Sequence, residues 1–164
     1  MGIPWDSKLT MLEKMMIHHE GLRLKPYLDT VGVMTIGVGR NLSSNGISND
    51  EALYMLRRDL AGFEAALENQ FQFYKQLSKL RQWVLISMAF NLGMKGLLGF
   101  KNMLSFMSLG NYHGASVEML NSKWAKQVGQ RAHDLAHLMR EDDIPKEMAH
   151  LFHGFGDERD PLAP

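Results

Sequence analysis

Apolar residues recur at helical spacing along most of this chain, which predicts a largely helical protein. In the first such segment, apolar side chains three or four positions apart predict a helix from Ser7 to His19. Asp6 or Ser7 is suited to cap the start of this helix, and Gly21 is suited to the position just past its end.

A long helix is predicted further along the chain. Ser48, with Glu51 three residues later, forms a capping-box pattern, and helical periodicity then extends to about Glu68. The segment from Ser78 to Leu92 is apolar on nearly every face, which predicts a buried helix ended by Gly93. Shorter helices are predicted over residues 95–98, 101–109, 112–120 and 130–140.

Residues 22–40 have a different pattern, in which β-favouring residues alternate with glycines and a proline. This pattern predicts a small hairpin or three-stranded sheet with a tight turn near Val31 and Gly32, followed by a polar loop from residue 41 up to the capping box. Strands in one place and helices elsewhere define an α+β fold, in which a long helix joins a small β-containing lobe to a helical lobe. The predicted parts are a small lobe over 21–50, an inter-lobe helix over 51–68, a helical lobe of 1–20 with 71–140, and a tail over 141–164.

The length of 164 residues fits one domain with a sizeable core, and its net charge of +0 conceals an uneven distribution. Residues 71–131 contain eight Lys and Arg but a single acid, Glu118, whereas residues 141–164 contain seven acids and two bases. A basic segment favours an anionic polymer, and nucleic acid and bacterial cell wall both qualify. An ordinary solvated surface accounts for the charge equally well. We expect the acidic tail to be loosely ordered beyond Pro145.

Several classes of chemistry are excluded by composition. The chain has no cysteine, which excludes disulfides, thiol nucleophiles and cysteine-ligated zinc. No apolar run approaches the ~20 residues of a membrane span. The N-terminus lacks both the basic start and the apolar core of a signal peptide. From the sequence we therefore expect no membrane span and no signal peptide.

Two carboxylates and a hydroxyl lie close together in the sequence "EGLRLKPYLDTVGVMTIGVGR". Glycoside hydrolysis requires one carboxylic acid to protonate the leaving oxygen and a second carboxylate to activate water or attack carbon. Glu20, at the end of an apolar helix face, is expected to be partly desolvated, whereas Asp29 in a polar turn is expected to stay hydrated and charged. Thr35, one strand further on, is suited to hold a water. By spacing alone, a helix-end charge and a turn-forming aspartate explain the same residues.

The histidines offer one further candidate site. His133 and His137 lie four residues apart on a predicted helix, a spacing that puts two imidazoles on one face. Asp134 stands where the zinc-protease signature requires a glutamate, so a polar helix face is the better interpretation and we predict no metal site. His18 and His19 are interpreted as neighbours of the carboxylate pair, not as members of the site.

The same glycine-punctuated segment resembles the catalytic segment of the phage-type lysozymes, the muramidase family typified by the endolysin of the T-even coliphages. The matching residues are Glu20-Gly21-Leu22-Arg23-Leu24, Tyr27-Leu28-Asp29-Thr30, Gly32 and Thr35-Ile36-Gly37-Val38-Gly39, in order and spacing. Weaker likeness continues in "ALYMLRRDL", "LISMAFNLGMKGLLGF" and "NSKW...GQRA", so that it covers about residues 8 to 140. The resemblance implies a compact lysozyme-like fold with a short small lobe.

The resemblance also implies roles for the candidate site residues. Glu20 would be the general acid, Asp29 would hold or deprotonate the attacking water, and Thr35 would position that water, with inversion at the sugar carbon and no cofactor or metal. The substrate-binding positions that it implies are Phe90, Asn91, Lys123, Trp124 and Arg131. Trp124 is the candidate for stacking on a sugar, and Arg131 is the basic residue expected to approach the catalytic glutamate.

Three positions depart from the family pattern. Asn91 stands where a glutamine is usual, and Arg40 stands where many relatives have a histidine, so an ion pair known from the family is absent here. Lys123 replaces an arginine and thereby gives up the planar two-pronged fork. The tail after Arg140 matches no part of the pattern.

The expected function is hydrolysis of the β-1,4 bond between N-acetylmuramic acid and N-acetylglucosamine in bacterial peptidoglycan, by a monomer of phage or prophage origin. Without a signal peptide, such an enzyme would wait in the host cytoplasm and reach the wall through a holin-type pore, or would travel in a phage particle. Three alternatives stay open. They are a lytic transglycosylase acting on the same bond, a catalytically silent wall-binding or particle-assembly module, and a helical domain that binds nucleic acid through the basic segment.

Overall fold

The computed structural model describes residues 8–152. By its internal contacts the chain divides into two compact units. We call them the N-terminal unit, up to Leu53, and the C-terminal unit, from Tyr54 onwards, and describe each by itself.

The first helix of the N-terminal unit, α1, spans Met11–Glu20 and begins later than the sequence predicted. Its cap is Thr10, whose hydroxyl accepts a hydrogen bond from the N–H of Glu13 at 3.2 Å, while the Glu13 carboxylate accepts one from the Thr10 N–H at 2.6 Å. This reciprocal capping box fixes the start of the helix, so the predicted start at Ser7 is wrong. Gly21 ends the helix as predicted, with a φ of 76° and its N–H donating to Ile17.

A three-stranded antiparallel sheet follows, as the pattern of residues 22–40 predicted. Its strands β1 (Arg23–Leu28), β2 (Met34–Gly37) and β3 (Arg40–Asn41) lie in the order β1-β2-β3, so β2 is central. Thr35 on β2 pairs with Tyr27 on one side and Asn41 on the other. The predicted tight turn joins β1 to β2, where the Gly32 N–H donates to the carbonyl of Asp29 at 3.1 Å.

The polar segment after the sheet is partly helical, so the prediction of a simple loop is wrong there. Helix α2 (Leu42–Asn45) starts because the Asn41 side chain accepts a hydrogen bond from the N–H of Ser44, and it ends at Gly46. Helix α3 (Asn49–Gln70) then starts at the predicted capping box, in which Ser48 and Glu51 bond each other reciprocally at 2.7 and 3.2 Å.

The described part of the C-terminal unit beyond α3 is helical. Its helices are α4 (Lys79–Leu98), α5 (Lys101–Ser108), α6 (Tyr112–Leu120), α7 (Lys123–Val128) and α8 (Gln130–Glu141), with short 3-10 helices at Tyr74–Gln76 and Lys146–Phe152. Helix α4 breaks at Gly93, where φ is 71°, which matches the predicted end of one helix and start of another. Helix α7 was not predicted, and Lys146–Phe152 is ordered where the sequence suggested a loose tail. The rest of that tail lies outside the described residues.

The core of this unit is built from side chains on α4, α5, α6 and α8, among them Leu85, Met88, Met103, Met119 and Met139. The start of α4 and the end of α8 are joined by Arg81. Its guanidinium donates to the Met139 carbonyl at 2.9 Å, pairs with Asp142 at 3.2 Å and lies 3.7 Å from the ring centre of Tyr112. The Ser78 hydroxyl also donates to Asp142, so the chain just after α8 is held against the start of α4.

Within residues 8–152, no helix by itself combines the length and hydropathy of a membrane span. Helices α4 and α5 meet those criteria only as a pair, with a bend of 99° between them. Much of α4 is buried among the other helices of its unit, as expected for a core helix.

Candidate active site

Asp29 follows β1 and is held by the backbone of the β1–β2 turn. Its Oδ1 atom accepts hydrogen bonds from the N–H groups of Val31 at 2.9 Å and Val33 at 2.8 Å. Such a turn forms readily at an aspartate, because the short side chain can accept from N–H groups two and four residues on. The two bonds fix the orientation of the carboxylate and occupy one oxygen, so the other oxygen, Oδ2, is the one oriented for a further partner.

Thr35 lies on the central strand and is 3% exposed. Its hydroxyl donates to the carbonyl of Val33 at 3.0 Å. The same carbonyl accepts the N–H of Asp29 at 2.9 Å, while the Val33 N–H donates to the Asp29 carboxylate. The backbone of Val33 therefore links the candidate base to the candidate water-holding residue. Because the hydroxyl proton of Thr35 is already used, its oxygen is left to accept a hydrogen bond.

Glu20 is the last residue of α1, and its carboxylate lies against the turn between β2 and β3. Its Oε2 atom would be 3.1 Å from a Cβ atom placed at Gly39, which measures how closely the acid approaches the bare backbone of that glycine. The side chain is exposed, so the expected partial desolvation of Glu20 is wrong for this structure. No residue of α1 is buried, so Glu20 at its end is exposed together with most of the helix.

The flanking residues have partners of their own. Arg40 donates through Nε to the carbonyl of Gly46 at 2.8 Å and forms an ion pair with Glu51 at 3.3 Å. The rings of His18 and His19 lie 5.5 Å apart at the end of α1. Hydrogen bonds from the backbone and side chain of Ser48, and the nearby charge of Arg40, hold the pKa of Glu51 below its usual value of 4.5.

The predicted substrate-binding residues all belong to the C-terminal unit. Trp124 is 4% exposed, its indole N–H donates to the Asn91 side chain at 2.8 Å, and its ring meets Phe100 edge-on at 5.9 Å. This burial does not support the prediction that Trp124 stacks on a sugar. Asn91 is the hydrogen-bond partner that allows the indole to be buried.

Three other residues of that set have surface positions. Phe90 is 43% exposed and its ring lies 5.9 Å from that of Phe63. Arg131 donates to the hydroxyl of Ser87 at 2.9 Å and to its carbonyl at 3.2 Å, which fixes the guanidinium on α4. Lys123 is exposed at the start of α7. The approach of Arg131 to Glu20 stays a prediction.

Lys123 and Trp124 also line a cavity of about 450 Å³ in the C-terminal unit. Lys101 and Glu118 stand among its other walls, and Glu118 accepts a hydrogen bond from Asn102 at 3.2 Å. The lining therefore contains positively and negatively charged side chains next to the buried ring of Trp124. Such a cavity is suited to a ligand that carries polar groups along an otherwise apolar body.

Within residues 8–152, no three or more His, Asp or Glu side chains form a group that could hold a metal ion. Asp134, between His133 and His137, instead accepts a hydrogen bond from Gln130 at 2.9 Å. This is the pattern of a polar helix face.

Two residues of the site were not singled out from the sequence. Val33 acts through its backbone, which no side-chain pattern reveals. Gly39 contributes the space that its missing side chain leaves beside Glu20, and its signals in the sequence were the glycine-rich turn and its place in the family motif.

The small antiparallel sheet with its carboxylates, followed by a long helix and a helical unit, defines an α+β protein of lysozyme-like architecture. The phage lysozyme family model matches residues 17–141, so the chain belongs to that family. This confirms both the resemblance and the fold class expected from the sequence.

Relatives of two kinds are similar to the chain. An endolysin of Acyrthosiphon pisum secondary endosymbiont phage 1 is 33% identical, over 69% of this chain and 77% of that protein. A Dictyostelium discoideum protein named "Probable T4-type lysozyme 1" is 27% identical, over 76% of this chain and 90% of its own length. The pre-baseplate central spike protein of Enterobacteria phage T4 is 30% identical over 79% of this chain, which spans only 28% of that protein.

Proposed function

We propose that this chain is a peptidoglycan hydrolase of the lysozyme type, which cleaves the β-1,4 bond between N-acetylmuramic acid and N-acetylglucosamine with inversion. Membership of the phage lysozyme family supports the class of activity, as do the relatives named endolysin and lysozyme. The observation that carries the mechanism is the backbone of Val33, which bonds both the Asp29 carboxylate in the β1–β2 turn and the Thr35 hydroxyl at the start of β2.

In the proposed reaction a water molecule lies between Asp29 and Thr35. It donates one hydrogen bond to the Asp29 carboxylate and one to the Thr35 oxygen, whose own proton is committed to Val33. The lone pair of the water then points away from both groups, towards the anomeric carbon of the sugar. Orientation of this kind lowers the barrier because less freedom is lost when the water attacks.

Glu20 acts on the opposite side of the scissile bond. As the water oxygen bonds to the anomeric carbon, the bond from that carbon to the leaving oxygen breaks and Glu20 protonates that oxygen. Asp29 takes the proton released by the water. An inverting enzyme needs room for water, so we expect the two carboxyl groups to stand about 6.5–9.5 Å apart when the glycan is bound.

A second role is supported by one of the relatives. Similarity to a pre-baseplate central spike protein favours a role as part of a phage particle. In that role the enzyme would open the wall for entry of the phage and not for lysis of the host. A silent structural module would keep the fold and lose turnover. The presence of Glu20, Asp29 and Thr35 together in the N-terminal unit favours an active enzyme over that alternative.

Digestion of purified peptidoglycan, followed by mass spectrometry of the products, tests the proposal. We expect products that end in reducing muramic acid, with full loss of activity in Glu20→Gln and normal folding of that variant. Anhydro-muramic products would instead identify a lytic transglycosylase. Absence of any products from a folded wild-type protein would identify a structural module, and near wild-type activity in Glu20→Gln would refute the assignment of the acid.

A further inference from the structure

The turn between β2 and β3 approaches the side chain of Glu20 so closely that a side chain at Gly39 would require the glutamate to shift by a few tenths of an ångström. A Cβ atom built on Gly39 would lie 3.1 Å from Oε2, 3.5 Å from Cδ and 3.7 Å from Cβ of Glu20. The optimal separation of non-bonded heavy atoms is about 3.5–4.0 Å. A methyl group at residue 39 would therefore crowd the glutamate side chain, most of all at Oε2.

We propose that Gly39 is a positioning residue for the general acid, because the space above its backbone is where the Glu20 carboxylate rests. Any side chain at residue 39 displaces that carboxylate from the sugar's leaving oxygen. This inference rests on the proposed function, in which Glu20 donates the proton.

The neighbouring glycine separates this effect from ordinary backbone strain. Gly39 has a φ of 68° and Gly37 has a φ of 67°, so an L-residue is strained at either position. A Cβ atom at Gly37 would find nothing within 4 Å, whereas at Gly39 it meets Glu20. The two glycines therefore share a conformational requirement, and only Gly39 has the additional contact with the acid.

Displacement of the acid costs activity but leaves the fold intact. Glu20 is exposed and its carboxylate is the free end of a flexible side chain, so it can move by a few tenths of an ångström when a methyl group is added. Catalysis depends on the position of that carboxylate, since a displacement of about 1 Å can cost about 100-fold in rate. A smaller shift is expected to cost about tenfold.

The experiment compares Gly39→Ala with Gly37→Ala as a matched control. Thermal unfolding should give similar decreases in Tm, since both variants have the same φ strain. With soluble, uncross-linked peptidoglycan chains, kcat should fall about tenfold further for Gly39→Ala than for the control, with KM unchanged, because the acid acts mainly in the transition state. Gly39→Val should lose more activity than Gly39→Ala.

Two further variants keep the inference separate from the proposed function. If Glu20→Gln is inactive and Gly39→Ala matches the control in kcat, the inference is overturned while the proposed acid stands. If Glu20→Gln retains wild-type activity, the proposed function fails. The contact itself is then still tested by thermal unfolding of Gly39→Ala and Gly37→Ala in a Glu20→Ala background. Because the shorter alanine side chain leaves more space beside residue 39, the difference in Tm between these two variants should be no larger there than in the native background. A Gly39→Ala decrease in Tm well beyond that of the control in the native background, but not in the Glu20→Ala background, would contradict the view that the flexible acid gives way.

Discussion

Replacement of Asp29 by asparagine separates the chemistry of this residue from its structural role. The amide oxygen of asparagine can take the place of Oδ1 and accept the N–H groups of Val31 and Val33, at 2.9 and 2.8 Å in the native protein. What the variant lacks is a carboxylate to receive a proton from water. Loss of a general base typically costs about 10²–10⁴ in rate.

The cost in stability follows from the same two hydrogen bonds. The bond from Val33 is partly buried and is worth about 1.5 kcal/mol, at the low end for a charged acceptor, and the exposed bond from Val31 is worth about 0.5 kcal/mol. Asp29→Ala therefore loses about 2 kcal/mol. Asp29→Asn loses about 1 kcal/mol, because charge-assisted bonds are about twice as strong as neutral ones.

The assay combines urea unfolding with turbidity loss of a wall suspension. We expect both Asp29 variants to lose at least about 100-fold in activity, with the asparagine variant about 1 kcal/mol more stable than the alanine variant. Activity of Asp29→Asn within a few-fold of the native protein would refute the assigned base. Equal destabilisation by both substitutions would refute the view that the amide oxygen preserves the turn.

Three further predictions concern other parts of the molecule. Thr35→Val should lose about tenfold in kcat with little change in stability, because the Val33 carbonyl still accepts the N–H of Asp29. If the hydroxyl holds the water, Thr35→Ser should keep the activity that Thr35→Val loses. Asn91→Ala should lower the free energy of unfolding by about 1–3 kcal/mol, because the buried indole N–H of Trp124 loses its acceptor; unchanged urea unfolding would contradict this. The pKa of Glu51 is lowered in the folded protein, so its contribution to stability is present above about pH 4.5 and is lost as the pH falls through the lower folded pKa. Glu51→Gln should therefore flatten the acid limb of a curve of Tm against pH, and an unaltered acid limb would contradict this linkage.

The elements that the sequence predicted well are those with strong local signals. The capping box at Ser48 and helix α6 agree with the structure because polar caps and helical periodicity act within a few residues. Helix α7 was missed because its six residues are too few to show a period. The start of α1 was misplaced because three polar residues before it can all act as caps, and only the pairing of Thr10 with Glu13 decides between them.

The candidate site was predictable in its residue types but not in its supports. Glu20, Asp29 and Thr35 were predicted from their chemistry and from the family pattern, and their catalytic roles stay predictions. Their supports are two backbone groups of Val33 and the bare backbone of Gly39, and neither leaves a side-chain signal. The burial of Trp124 was not predicted, because helical geometry lets a tryptophan be buried while the residue before it on the same helix, Lys123, is exposed.

Support from the backbone explains why the flank of this site can depart from the family pattern. The orientation of Asp29 depends on N–H groups and that of Glu20 on a glycine, so neither needs an ion pair with residue 40 to hold it. Arg40 has a structural role instead, since it donates a hydrogen bond to Gly46 and forms an ion pair with Glu51, which together join β3 to the start of α3. Substitution of Arg40 should therefore lower the stability of the junction between β3 and α3 more than it lowers the rate of the reaction. Arg40 borders the candidate site, whose proposed acid and base are held by the backbone of the two turns on either side of β2.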